Sequence, residues 1–176
     1  DSLFFLSENF VLTFAASYID AVFDDFKNGP CDRTFVPPAS DDCPIVNGGP
    51  ARVKDFTGRT PSGVPELAIT VSGTYTFDLT ENMTGYIRGE YIYEDAYQAT
   101  DAVPVEVPNA LRKVGTLNAS LGVKDSASGF SIMLWGRNIN DDEYIYTGFN
   151  VPGSPGSYAG YPVVPKMWGL TLSRDF

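Results

Sequence analysis

The chain has 176 residues, with 12 Lys and Arg against 22 Asp and Glu for a net charge of −10, no His and two Cys. This acidity argues against a nucleic-acid ligand, because nothing would neutralise a run of phosphates. The missing His removes Ser-His-Asp and Cys-His catalysis and His-ligated zinc.

Aromatic residues at 14%, 17 Gly and 13 Pro, with charged residues at only 19%, point to strands and turns. Residues 1–5 read as the tail of one strand, and Leu6-Ser7-Glu8-Asn9 as a tight turn. A strand follows over roughly Phe10 to Asp25. Phe10, Phe14 and Tyr18 also match helical i, i+4 spacing, but the aromatics with Val, Ile and Thr favour a strand. The clearest alternation begins at Leu67: Leu67, Ile69, Val71, Tyr75, Phe77 and Leu79 share one parity, and Thr70, Ser72, Thr74, Thr76 and Asp78 the other. After a turn at Thr80-Glu81-Asn82, Gly85, Ile87, Gly89, Tyr91 and Tyr93 oppose Tyr86, Arg88, Glu90 and Glu94. Then Gly115, Leu117, Ala119, Leu121 and Val123 alternate with Thr116, Asn118, Ser120 and Lys124. The turn Asp125-Ser126-Ala127-Ser128 leads into Phe130, Ile132 and Leu134, and a last strand carries Trp168, Leu170 and Leu172 opposite Gly169, Thr171 and Ser173.

No run approaches the ~20 apolar residues of a membrane-spanning helix. The longest, Phe10 to Phe23, is interrupted by Thr13, Ser17 and Asp20. A membrane role therefore requires a β-barrel, whose signal is alternation. Connection lengths point the same way. Long links at about 26–65, 96–113 and 141–164 alternate with short turns, as in outer-membrane barrels with short periplasmic turns and long extracellular loops. By that parity the C-terminus is periplasmic. The opening at Asp1, with neither an initiator Met nor a basic leader, reads as a mature or cut segment.

Three stretches carry a resemblance. Trp135 to Tyr144 (WGRNINDDEY) resembles the Asn-Leu-x-Asp-x-x-Tyr signature near the C-terminus of TonB-dependent outer-membrane receptors. Gly58-Arg59-Thr60-Pro61 to Pro65 resembles the entry to a late barrel strand of that family, and Pro165 with Trp168 to Phe176 its last strand. The resemblance implies an all-β fold: an antiparallel transmembrane β-barrel segment in the bacterial outer membrane, about the last six strands of a barrel of about 22. Residues 1–176 would be the C-terminal part of one barrel domain, the plug domain being absent from this chain. It implies import of a scarce nutrient such as a ferric siderophore, with TonB engaged through the missing N-terminal part. Further partners would be the barrel assembly machinery, outer-membrane lipid and lipopolysaccharide. No catalytic residue, metal or cofactor is expected. Other readings are a self-contained barrel of about eight strands, an adhesin or structural protein, and a secreted β-sandwich binding module.

Four groups of residues stand out against that background. Trp168, Leu170, Leu172 and Phe176 resemble the signal read by the assembly machinery, the alternative being a plain lipid-facing strand. Cys31 and Cys43 fall in the first long link, where an oxidising compartment favours a disulfide over free thiols. Tyr146, Phe149, Tyr158 and Tyr161 lie on a Gly-rich loop suited to stacking on a siderophore or sugar, or equally to packing on itself. The acidic pairs Asp24-Asp25, Asp41-Asp42 and Glu94-Asp95, with Asp141-Asp142-Glu143, read as solvated charge. Asn138 and Asp141 are expected to shape a turn, and Arg88 and Glu90 to pair across the barrel wall or with a plug.

Overall fold

A computed structural model describes residues 1–30, 53–101, 107, 110–154 and 156–175, and these contain strands and turns but no helix. The strands are β1 (Ser2–Ser7), β2 (Phe10–Tyr18), β3 (Gly29–Pro30), β4 (Val53–Lys54), β5 (Leu67–Asp78), β6 (Met83–Gln98), β7 (Leu111–Asp125), β8 (Phe130–Arg137), β9 (Ile145–Asn150), β10 (Tyr158–Pro162) and β11 (Met167–Arg174). Seven of them form one sheet in the order β1-β2-β5-β6-β7-β8-β11, while β3–β4 and β9–β10 are separate two-stranded ribbons. Every neighbouring pair in the large sheet is antiparallel. The sheet is open, and its two edge strands, β1 and β11, run in the same direction.

Alternation in the sequence becomes two faces in the sheet. Registered across six strands, Phe10, Tyr75, Ile87, Leu121, Leu134 and Leu170 form one continuous apolar row. Ile87 is 52% exposed and Leu170 61%, so nothing among the described residues covers this face. The opposite face carries Ser, Thr, Asn, Arg and Glu, with Thr74, Arg88 and Ser120 in one row and Ser72, Glu90 and Asn118 in the next. Val114 is the one buried apolar side chain among the described residues. This single layer has no apolar core of its own, unlike a sandwich, whose sheets bury their inner faces on each other.

Aromatic rings cover glycines on neighbouring strands. Trp168 lies over Gly136 on the apolar face and Trp135 over Gly169 on the polar face, so β8 and β11 exchange one such cover on each side. Gly129 closes the turn between β7 and β8 at φ 73°, and a Cβ there would strike the Asp175 carbonyl. Only glycine suits that position.

The elements depart from the sequence reading at four places. The large sheet has seven strands rather than about six, because residues 2–7 form a full strand paired with β2. β2 ends at Tyr18, short of Asp25. Beyond it Phe23 and Phe26 turn to each other, ring centroids 4.9 Å apart, and Phe26 to Phe56 at 5.5 Å, packing the base of the first connection instead of the sheet. β6 continues past Glu94 to Gln98, so the second link is 99–110. A bulge between Glu94 and Tyr97 breaks the period of two and hides the extension. The third link, 138–166, holds the β9–β10 hairpin, which shows no apolar–polar alternation because aromatics sit on both its faces.

Candidate functional site

The polar face converges on a concavity of about 500 Å³ lined by Arg88, Glu90, Asn118, Trp135, Arg137 and Thr171. Arg88 and Glu90 pair with each other at 3.1 Å along β6, two residues apart. Each also reaches a neighbouring strand: Arg88 Nη1 donates to Thr74 Oγ1 at 3.2 Å, and Asn118 Nδ2 donates to Glu90 Oε1 at 3.1 Å. Trp135 Nε1 donates to Thr171 Oγ1 at 3.1 Å, and the Arg137 guanidinium lies 5.4 Å from the Trp135 ring. The wall of the concavity is thus set by fixed hydrogen bonds, with aromatic and cationic surface beside them.

At the end of β8 the chain turns through Asn138 (φ 49°) and Asp141 (φ 58°), two left-handed positions that Asn and Asp tolerate best among residues with a side chain. This matches the turn-shaping role expected of both. Two side chains, Asn140 and Asp142, then replace the ladder that β8 no longer supplies to β7. Asn140 Oδ1 accepts the Leu117 N–H at 2.8 Å and its Nδ2 donates to the Gly115 carbonyl at 2.7 Å. Asp142 Oδ2 accepts the Gly115 N–H at 2.7 Å and the Thr116 hydroxyl at 3.2 Å. Asn138, 3% exposed, donates to the carbonyls of Asp142 and Val164 and accepts the Asp142 N–H at 2.7 Å. Asn138 therefore holds both legs of the β9–β10 hairpin at its base.

A second tie comes from Arg112 on β7. Its guanidinium lies 4.9 to 5.6 Å from the ring centres of Tyr146, Tyr144 and Tyr97 and pairs with Glu94 at 3.1 Å, the two side chains being 16% and 20% exposed. Sequence reasoning missed Arg112. It shares the parity of Thr116 and Asn118, and starting the strand at Gly115 left it in a loop.

The four aromatic ligand candidates divide between the two faces of the hairpin. Phe149 and Tyr161 meet on one face, ring centres 5.6 Å apart, whereas Tyr146 turns to Arg112 and Tyr158 stands opposite Asn150 on the other face. Trp168, Leu170 and Leu172 project from the edge strand β11 on the apolar face, all well exposed. Phe176, Cys31 and Cys43 lie outside the described residues, as do Asp41 and Asp42. Three of the other acids form ion pairs: Asp25 with Lys27 at 3.3 Å, Glu94 with Arg112 at 3.1 Å, and Asp141 with Lys166 at 3.1 Å. Among the described residues no group of three His, Cys, Asp or Glu side chains is placed to hold a metal. Beyond β11, a hydrogen bond from the Lys124 ammonium at 2.7 Å, reinforced by its charge, holds the Asp175 carboxyl below the usual carboxylate range. In the first connection, hydrogen bonds from the Thr57 hydroxyl and N–H do the same for Asp55.

No family model, no curated protein and no solved structure matches the chain.

Proposed function

We propose that the seven-stranded sheet is part of a transmembrane β-barrel in the bacterial outer membrane, and that the barrel belongs to a TonB-dependent receptor importing a scarce nutrient such as a ferric siderophore. One observation carries the barrel reading: the exposed apolar row from Phe10 to Leu170, registered across six adjacent strands and backed by a polar face. Lipid is a natural cover for such a face, and a water-filled interior for the other. Connection lengths add support. Residues 8–9, 79–82 and 126–129 turn at one end of the sheet, and 19–66, 99–110 and 138–166 connect at the other. In a bilayer the free edges of β1 and β11 have to be paired, which further strands of the barrel would do.

The receptor reading rests on the resemblance of Trp135 to Tyr144 and of the β11 segment to that family. On it, the long connections and the Phe149–Tyr161 pair face the incoming ligand, and the hydrogen-bonded polar face lines the passage. The sheet's role is scaffold and lining, with no bond-making step.

Nitroxide labels test the barrel reading in the full-length protein reconstituted in lipid, with Cys31 and Cys43 replaced by Ala. Labels at Ile87 and Leu121 should meet dissolved oxygen and be shielded from a water-soluble nickel complex, with the reverse at Thr74 and Ser120. Equal accessibility on the two faces would overturn it. For the receptor reading, deleting the gene should abolish TonB-dependent growth on at least one ferric siderophore, and unchanged growth across a siderophore panel would count against it.

A further inference from the structure

The concavity on the polar face and the β9–β10 hairpin are joined by one unbroken line of hydrogen bonds. It starts at Thr74 on β5, passes through Arg88 and Glu90 on β6, and reaches Asn118 on β7. Asn118 then carries it off the face, because its Oδ1 accepts the Asn138 N–H at 3.0 Å. From Asn138 the line ends on Asp142 and Val164, the entry and exit legs of the hairpin.

We propose that Asn118 is a positioning residue that couples the Arg88–Glu90 pair to the hairpin, so that a group engaging Glu90 shifts the hairpin between a held and a released state. This deepens the receptor reading and rests on it for the hairpin's role toward ligand. The coupling itself does not depend on that reading.

The chemistry fixes how Asn118 must sit. An ionised Glu90 only accepts hydrogen bonds, so the carboxamide turns its Nδ2 to Glu90 and its Oδ1 to the Asn138 N–H. A carboxamide donates at one end and accepts at the other, which neither Asp nor Leu does. A cationic group that draws Glu90 away removes the acceptor that orients Asn118, and the buried Asn138 N–H then loses its partner. Asn138 holds a left-handed backbone at φ 49° that its hydrogen bonds help to stabilise, so loosening them favours release of both legs. By linkage the effect runs both ways, and a ligand that pins the hairpin strengthens the Asn118–Glu90 contact.

The test is amide hydrogen exchange over residues 145–162 in the full-length protein purified in detergent. Asn118→Leu and Glu90→Leu should each speed exchange there roughly fivefold, the worth of one ordinary hydrogen bond in an opening equilibrium. The double variant should be no faster than either single one, since both cut the same line. Thr171→Val, which removes the Trp135 bond on the same face, should leave the hairpin unchanged. Unaltered exchange in Asn118→Leu, multiplying effects in the double variant, or equal acceleration by Thr171→Val would each overturn the coupling. None of these outcomes bears on the nitroxide or growth tests, so the two readings fail separately.

Discussion

The Asp142 carboxylate accepts the Gly115 N–H at 2.7 Å, taking the place of a strand partner where β8 has already turned away from β7. Asp142→Leu strands that N–H together with the Thr116 hydroxyl and should cost about 1–3 kcal/mol. Asp142→Asn keeps an accepting oxygen and should cost less than half as much. Urea titration of the two variants beside the parent protein checks the order, and equal losses would show that the space filled at this corner matters more than the hydrogen bonds.

Ile87 sits mid-row on the apolar face, while Thr74 faces the other way on the adjoining strand. Ile87→Arg should cost ~2–4 kcal/mol if that face meets lipid near the bilayer midplane. It should sharply lower the amount of folded protein in outer-membrane extracts, whereas Thr74→Arg should leave most of it. Similar yields from the two variants would remove lipid as the cover of the apolar row.

Asp175 lies 2.7 Å from Lys124, and its folded-state pKa is depressed by that partner. A depressed carboxyl pKa adds stability that is fully present above the unfolded value of about 3.9 and is lost as pH falls through the lower folded value. Lys124→Met should therefore be less stable than the parent at pH 6, and the gap should close as the pH drops below about 4. Urea midpoints across this range decide it. A gap that persists at low pH would trace the effect to the Lys124 stem rather than its charge.

Arg112 meets three tyrosine rings and one carboxylate at once. Lys retains the charge beside Glu94 but not the flat contact, which is worth about 0.5–2 kcal/mol. Limited proteolysis at the hairpin tip, residues 151–157, should be slowest in the parent, faster in Arg112→Lys and fastest in Arg112→Ala. Identical rates would mean that the Asn138 tie alone holds the hairpin.

Much of the sheet was legible in sequence because two-faced strands must alternate. Leu67 to Phe77 and Trp168 to Leu172 fall on the faces their parity assigns. The parts that escaped lack that regularity. The bulge after Glu94 shifts the parity, so the end of β6 and the position of Arg112 were hidden together. The hairpin has aromatics on both faces and so gives no contrast. At the candidate site, Asn138 and Asp141 were readable as turn residues from type alone. The link from Asn118 to Asn138 was not, since it joins residues twenty positions apart on elements whose register sequence does not fix.

The shared direction of β1 and β11 has an arithmetic consequence. Around any closed antiparallel ring, direction flips at each step as colours do along a chequered border, and the border meets itself only after an even count. Seven strands leave both ends the same colour. Any such ring built on this sheet therefore holds an odd number of other strands. Copies of the sheet inserted the same way up cannot be spliced edge to edge without a parallel seam.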